Sequence, residues 1–214
     1  MILVVEMRSI VLCLLLLAQA QGPPAVLPPA ATAQLASSLA ASRPHSRSVW
    51  RDTAPFDPSG RLTAFVEIPR GDRRKFEFDI GANRLRLDRT MPPDLAYPVN
   101  YGIVPQTVSY DGDPFDVLVL GPPLEPGTLL HGEILGIMHM TDEKGLDSKV
   151  VISPLDPAGK PRFSLTDVER DRIGRFFDRY KRHEPGKFSK VTGWGTRDEG
   201  MAFVHRTHAF FKGS

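Results

Sequence analysis

Three aspartates lie within six residues in the run Asp111-Gly-Asp113-Pro-Phe-Asp116. Pro114 favours an extended backbone at Asp113, and side chains two residues apart on an extended chain share a face, so Asp111 and Asp113 are expected to point the same way. Carboxylates this close repel one another unless a cation lies between them. Mg²⁺ is the expected ion, with Mn²⁺ as a substitute, because Zn²⁺ favours closely spaced His or Cys and the sequence has neither HExxH nor CxxC.

Two other interpretations of this run concern turns. A calcium-binding loop does not fit, because its sixth position would be Asp116 rather than Gly and its twelfth would be Pro122 rather than Glu. A solvated acidic turn does fit, since Asp, Gly and Pro are all common in turns. The run alone does not decide between a turn and a metal site.

A second acidic segment has a related arrangement, in the order Asp142-Glu143-Lys144-Gly-Leu-Asp147-Ser-Lys149. It follows one apolar stretch and precedes another, so its acids are expected at the end of one strand and the start of the next. The acids of this segment and those of the Asp111 run are therefore able to face one cavity.

The elements that must position these acids are mostly strands. Residues 62–68 and 76–80 alternate apolar with other side chains, which is the pattern of half-buried strands. Residues 81–83 are of types that are common in turns, which predicts a hairpin between the strand at 76–80 and residues 85–87. Further strands are predicted at 116–120, 129–140 and 149–152.

A helix is predicted over residues 164–183, where apolar side chains recur at helical spacing after a possible capping box. Pro185-Gly186 is expected to end it. Short strands followed by one late helix favour a small barrel with helices packed outside. The predicted fold class is mainly β with α additions.

The distribution of charge argues against a nucleic-acid partner. The formal net charge is +2, but residues 1–51 contain four basic residues and one acid, which leaves a slight acidic excess in the remainder. A nucleic-acid binder usually carries a basic excess on its folded domain.

The first fifty residues resemble an export segment and a linker. Basic Arg8, a leucine-rich run and Ala18-Gln-Ala20 have the three parts of a secretory signal, with cleavage expected after Ala20. The apolar run is too short to span a bilayer, so no stable membrane anchor is expected. Cys13, the single cysteine, lies inside that run. Residues 21–51 are rich in Pro, Ala and Ser and predict a tether, in which a helix at 32–41 would persist only if it docked.

The order of several blocks resembles family I soluble inorganic pyrophosphatases of bacterial type. The resemblance covers about residues 62–211 and rests on these blocks: Glu67-Ile-Pro-Arg-Gly, Lys75-Phe-Glu77, Asp88-Arg89, Tyr97-Pro-Val-Asn-Tyr101-Gly, the Asp111 run, Met140-Thr-Asp142-Glu143 with Asp147 and Lys149, Arg179-Tyr180-Lys181, Pro185-Gly-Lys187 and Gly193-Trp194. It implies a five-stranded OB-like closed β-barrel with flanking helices over residues 52–214, and Mg²⁺-dependent hydrolysis of diphosphate.

The same resemblance implies a role for each matching side chain. Asp113 is the expected general base, and Tyr101 is expected to assist. The expected metal ligands are Asp111, Asp116, Asp142 and Asp147. The expected ligands of substrate oxygens are Lys75, Arg89, Tyr101, Lys149, Tyr180 and Lys181, whereas Glu67, Glu77 and Glu143 are expected to reach metal through water or to hold Lys and Arg side chains.

Several alternatives stay open at this point. An OB-like barrel also suits a nucleic-acid or oligosaccharide binding module, although five aspartates in its cavity would repel phosphates. A hydrolase of larger diphosphates, such as nucleotides, is a second alternative. The resemblance implies a homo-oligomer, a hexamer in bacterial members. The signal predicts a periplasmic or secreted protein, with the cytoplasm as the alternative that is usual for the family.

Overall fold

The computed structural model describes residues 24–213, so the predicted signal segment, with Cys13 and the cleavage after Ala20, lies outside the described residues. The described chain contains four helices and nine strands: α1 Pro29–Ser42, α2 Val49–Asp52, β1 Leu62–Ile68, β2 Arg74–Asp79, β3 Arg84–Thr90, β4 Asn100–Ile103, β5 Asp116–Val119, β6 Leu129–Asp142, β7 Gly145–Leu146, β8 Lys149–Pro154, α3 Asp167–Phe177, β9 Ser189–Gly195 and α4 Arg197–Lys212. The predicted mainly β fold with added helices is confirmed. None of the described helices combines the length and apolar character needed to cross a bilayer.

Five strands of the main sheet pair in a cyclic order. The pairings run β1–β4–β5–β8–β6, and β1 also pairs with β6 through residues 62–65. All these pairings are antiparallel except β5 with β8, where Val117 lies beside Val150. β7 and β9 pair with β6 outside the cycle. Every residue of β1 is buried, so the prediction that this strand is half-buried was wrong; β1 has neighbours on both edges and packs on both faces.

The two late helices cover opposite parts of this sheet. Ile173 and Phe177 of α3 belong to one apolar cluster, and Phe203 and Val204 of α4 belong to another. The sequence predicted only one late helix, which was wrong. Its missed partner has a complete capping box at Thr196, a signal that the sequence does contain.

Helix α3 is shorter than predicted. Thr166 caps its start by accepting the N–H of Glu169, but the helix ends at Phe177 rather than near residue 183. Beyond Asp178 the backbone bonds join residues three apart, as in Arg179 to Phe176 and Arg182 to Arg179, so the chain continues as turns, and the Ser189 hydroxyl donates to the Phe177 carbonyl at 2.5 Å. Tyr180 therefore lies just past the helix and not on it.

Strands β2 and β3 form a separate hairpin, as predicted. Near the turn, β2 is fixed to β1, because the Glu67 carboxyl accepts the N–H of Phe78 at 2.7 Å. The tip of the hairpin contains Asn83 in the left-handed region, at a φ of 51°. Asparagine tolerates this conformation better than most residues, so the turn signal in the sequence has a physical basis.

Residues 24–52 do not extend as a free linker. Leu35 of α1 and Trp50 of α2 are each 1% exposed, and both pack against Val108 of the loop between β4 and β5. The helix that the sequence allowed only if docked is therefore docked, over a slightly longer range than residues 32–41.

Asn100, the first residue of β4, joins strand β5 and the two loops that follow β1 and β5. Its side chain is fully buried; its Oδ1 accepts the N–H groups of Arg70 and Leu124, and its Nδ2 donates to the carbonyls of Val119 and Pro122. We expect Asn100→Ala to lower the free energy of unfolding by about 3 kcal/mol, because buried backbone groups lose their partners. Denaturant unfolding measures this; a loss below about 1 kcal/mol would show that water replaces the amide at little cost.

Candidate active site

A cleft of about 390 Å³ opens beside the hairpin and contains thirteen of the fourteen predicted site residues. These are Glu67, Lys75, Glu77, Arg89, Tyr101, Asp111, Asp113, Asp116, Asp142, Glu143, Asp147, Tyr180 and Lys181. The fourteenth, Lys149, is 1% exposed and lies under the cleft floor. Side chains spread over more than one hundred positions of the chain thus meet in one recess.

The acidic loop between β4 and β5 is a turn rather than the extended segment that the sequence predicted. The N–H of Asp113 donates to Asp111 Oδ1 at 3.1 Å, and Gly112 has a φ of 93°. Asp111 and Asp113 still face the same way, because Lys144 Nζ lies 3.5 Å from Asp111 Oδ2 and 3.6 Å from Asp113 Oδ2. The short side chain of Asp111 closes this turn on its own backbone, which competes with extended structure.

Lys149 holds two of the predicted metal ligands together. Its Nζ lies 2.5 Å from Asp116 Oδ2 and 2.9 Å from Asp147 Oδ1. The parallel register of β5 and β8 places Asp116 beside the start of β8, where Lys149 lies. Burial lowers the pKa of Lys149, but the two carboxylates outweigh it and raise that pKa well above its usual range. The lysine therefore remains a buried cation.

Burial also changes the titration of Asp147. It raises the pKa of this carboxyl to about 7, against the opposing attraction of Lys149. A partly buried carboxylate of this kind gains most from an added cation.

A second lysine pairs with the acids of the β6–β7 turn. Lys181 Nζ lies 2.6 Å from Asp142 Oδ2 and 2.9 Å from Glu143 Oε1. Burial works against the charged lysine, but the hydrogen bonds from Asp142 and Glu143 prevail and raise its pKa. Lys181 therefore remains charged at the wall of the cleft.

Asp113 stands at the rim, where a water molecule is able to reach it. Its side chain is 56% exposed. Partial removal from water within the cleft, followed by the charge of Asp111, nevertheless raises its pKa to about 6. A carboxylate with a pKa near neutrality is well suited to accept a proton.

The hairpin supplies the opposite, cationic wall. Lys75 Nζ lies 2.5 Å from Glu77 Oε1, and Arg89 donates to Asp88 at 2.7 Å and to Glu184 at 2.5 Å. These acids orient the two cations toward the cleft. A lysine and an arginine on one wall suit an anion that carries several phosphate oxygens.

Tyr101 and Tyr180 contribute neutral hydroxyl groups. Burial raises the pKa of both phenols, so each keeps its proton and is able to donate a hydrogen bond. Glu67 is also deeply buried, and burial raises its pKa to about 8. The Glu67 carboxyl also holds the backbone of β2, through its hydrogen bond from the Phe78 N–H.

Comparisons with known proteins agree with this arrangement. The sequence model of the inorganic pyrophosphatase family matches residues 64–212. The chain belongs to this family. The pyrophosphatase of Ralstonia nicotianae is 44% identical over 146 residues, which cover 64% of this chain and 83% of that protein. The enzyme of Saccharolobus solfataricus is 39% identical over 142 residues, which cover 63% and 83%.

Solved structures of inorganic pyrophosphatases have the same fold. The Coxiella burnetii protein superposes with a TM-score of 0.69 at 38% identity and covers 74% of this chain and 99% of that one. The Thermus thermophilus protein gives a TM-score of 0.71 at 32% identity, with coverage of 77% and 99%. The first 63 residues lie before the match to the pyrophosphatase family.

The donor set of this pyrophosphatase cleft fits magnesium. In the described part of the chain, no three His, Cys, Asp or Glu side chains are already gathered around one point as a metal site. The aspartates instead pair with Lys144, Lys149 and Lys181. All the acidic donors are oxygens, which Mg²⁺ prefers, and the lysines occupy positions where positive charge is needed.

Sequence reasoning assigned no role to several residues in or beside the cleft. Lys144 and Lys187 line the cleft, and Asp88 and Glu184 hold Arg89 in place. Lys144 lies inside the second acidic segment, so the sequence did indicate that this lysine is close to acidic side chains. The contact between Arg89 and Glu184 joins residues 95 positions apart, and nothing in local spacing indicates it.

Proposed function

We propose that this chain hydrolyses inorganic diphosphate to two orthophosphates in the cleft beside the hairpin. One observation carries the proposal. In this member of the inorganic pyrophosphatase family, aspartates line one side of the cleft, and Lys75 and Arg89 line the other side. Diphosphate is a compact polyanion, so it needs cationic donors on one side and neutralised carboxylates on the other.

The residues of the cleft have different roles according to their positions. Lys75 and Arg89 bind phosphate oxygens from the hairpin, and Lys181 and Tyr180 bind them from the turn after α3. Tyr101 donates from its protonated hydroxyl. Lys149 keeps Asp116 and Asp147 in place from below.

Asp113 accepts the proton of the attacking water. Its exposure at the rim and its raised pKa support this assignment, because a general base must reach the nucleophile and be ionised near the working pH. Asp111, Asp116, Asp142 and Asp147 would hold Mg²⁺, or Mn²⁺ in its place. When bound, the ion supplies water activation and neutralises phosphate charge.

Chelation is therefore expected to stop catalysis. Phosphate release from diphosphate by the full chain should fall to background in excess chelator and return when Mg²⁺ is restored. Colorimetric phosphate detection measures both steps. Full activity in chelator, after exhaustive metal removal, would contradict the metal requirement.

The substrate is tested by a panel at equal concentration. Diphosphate, ADP, ATP and a phosphate monoester are compared for initial rates of phosphate release. We expect diphosphate to be hydrolysed at least about 100-fold faster than the others, since the cleft provides phosphate donors on both walls. Faster release from ADP than from diphosphate would favour a hydrolase of larger diphosphates.

The finer architecture also stays within this proposal. The cyclic pairing of β1, β4, β5, β8 and β6 supports a closed OB-like barrel. We retain residues 52–214 as the pyrophosphatase domain and expect a homo-oligomer, a hexamer by resemblance. Analytical ultracentrifugation of the full chain tests that state, and a monomer at micromolar concentration would contradict it.

Export after cleavage near Ala20 is proposed from the sequence of residues 7–20. Mass spectrometry of the protein from fractionated cells tests it. A mature protein that starts near Gln21 in the exported fraction is expected, whereas an uncleaved chain found only in the cytoplasm would favour the alternative location.

A further inference from the structure

Residues 24–52 lie before the part of the chain that matches the pyrophosphatase family, yet they contact both walls of the cleft. We propose that this segment, here called the N-terminal clasp, holds the acidic loop 106–113 and the hairpin tip at a fixed separation. It thereby positions Asp113 opposite Lys75 and Arg89. The inference rests on the proposed function and adds a positioning element to it.

The first set of contacts fixes the start of the acidic loop. Trp50 Nε1 donates to the Thr107 carbonyl at 3.0 Å, and the Trp50 carbonyl accepts the N–H of Gln106 at 2.8 Å. Gln106 has a φ of 51°, which is unfavourable for a residue of its kind, and its side chain donates to the Arg51 carbonyl at 2.9 Å. Surrounding contacts must hold such a backbone in place, and the clasp supplies three of them.

The second set reaches the aspartates themselves. Gly112, between Asp111 and Asp113, lies directly on α1: a Cβ at this glycine would be 2.6 Å from Gln34 Cβ and 3.2 Å from Ala31 Cα. The backbone at Gly112 therefore lies so close to α1 that only a residue without a side chain fits there. A shift of α1 would leave the turn between the two aspartates without this support.

The third set holds the hairpin tip. Asn83 Nδ2 donates to the Arg47 carbonyl at 3.0 Å, and Asn83 Oδ1 accepts the N–H of Val49 at 3.2 Å. His45 Nε2 makes a further 2.7 Å contact with the Gly81 carbonyl. The clasp thus binds the turn of the hairpin, a few residues beyond Phe78, where Glu67 holds β2.

An apolar cluster connects the three sets. Leu35, Trp50 and Val108 form its centre, and Phe78 and Ile80 of the hairpin pack against it. Phe78 and Ile80 also line the cleft. The same side chains therefore face the clasp and the site, so the hairpin wall and the loop wall are coupled through one packed cluster.

This placement matters because catalysis depends on small distances. A displacement of about 1 Å between reacting groups is able to reduce the rate about 100-fold. The β2–β3 hairpin forms its own two-stranded sheet, and such a unit is marginally stable without packing. The bond from Phe78 to Glu67 and the contacts of the clasp with residues 81–83 together hold its closed end in place.

Two variants loosen the clasp at different points. Leu35→Ala removes a side chain from the centre of the cluster, and Asn83→Gly removes the two side-chain hydrogen bonds at the hairpin tip while keeping a residue that accepts a positive φ. Leu62→Ala is the matched control, since Leu62 is equally buried but belongs to another cluster, about 16 Å along β1 from Glu67. All three are made in the full chain.

Amide hydrogen exchange and steady-state kinetics on diphosphate are measured for each protein. Leu35→Ala should speed exchange in residues 106–113 and lower kcat about tenfold, while Asn83→Gly should speed exchange in residues 79–84 and raise KM about fivefold. Leu62→Ala should lower the Tm with kcat within about twofold of the original chain.

The outcomes separate the clasp from the proposed function. Equal kcat and equal loop exchange in Leu35→Ala and Leu62→Ala would overturn the inference. If Leu35→Ala does not fold, an unchanged KM and unchanged exchange in Asn83→Gly would overturn it instead. If the unaltered chain releases no phosphate, the proposed function fails, and the exchange data alone still decide whether the clasp holds the loop and the hairpin.

Discussion

Asp113→Asn is expected to lower kcat for diphosphate by about 10²–10⁴, the usual contribution of a general base. The amide has nearly the same shape as the carboxyl but is unable to take a proton. Asp113 is 56% exposed and its carboxylate makes only a 3.6 Å contact with Lys144, so the change should leave the Tm within about 2 °C of the original. Steady-state kinetics in saturating Mg²⁺ measure the loss.

The matched control for this variant is Asp167→Asn. Asp167 has a fully exposed side chain in the first turn of α3, with a weak ion pair to Arg170 at 3.8 Å. Its replacement should leave kcat unchanged within about twofold. A normal kcat in Asp113→Asn would assign the base to another group, whereas an equal loss in both variants would indicate a general effect of lost negative charge.

Lys149→Met is expected to lower the free energy of unfolding in chelator by about 3–5 kcal/mol. Methionine nearly fills the lysine volume but leaves Asp116 and Asp147 without the cation that holds them at 2.5 and 2.9 Å. Mg²⁺ should offset part of the loss, because it supplies positive charge to the same carboxylates. Chemical denaturation with and without Mg²⁺ measures both effects.

Lys144→Met is the control for the role of burial. Lys144 also approaches two aspartates, but at 3.5 and 3.6 Å and with 55% of its side chain exposed. Solvent screens such pairs, so the expected loss is below about 1 kcal/mol. Equal losses in Lys144→Met and Lys149→Met would contradict the claim that the buried lysine organises the acidic floor.

Much of the fold follows from local patterns. Alternation identified β1 and β2, and apolar stretches identified β5, β6 and β8. The end of α3 did not follow, since turn bonds between residues three apart replace the helical pattern after Asp178, and Ser189, 12 residues beyond Phe177, bonds to its carbonyl. Docking of α1 also escaped prediction, because its burial depends on the bare backbone of Gly112 and on Val108, far along the chain.

For the candidate site too, the sequence indicated some features and not others. The acidic run and the ordered blocks identified the residues that line the cleft, because their types carry the chemistry. Their pairings depend on register: the parallel alignment of β5 with β8 brings Lys149 to Asp116, and the path of the chain after α3 brings Lys181 to Asp142. Such contacts belong to the tertiary structure and have no signature in spacing.

The most direct test of the account is a crystal structure of the full chain with Mn²⁺ and imidodiphosphate, a diphosphate analogue that resists hydrolysis. Anomalous scattering locates the manganese ions directly. We predict ions bound to Asp111, Asp116, Asp142 and Asp147, with the analogue bridging them to Lys75, Arg89 and Lys181, and Asp113 facing the phosphorus that is attacked. Manganese or analogue bound elsewhere, with this cleft still closed by its lysine pairs, would contradict the assignment of the active site.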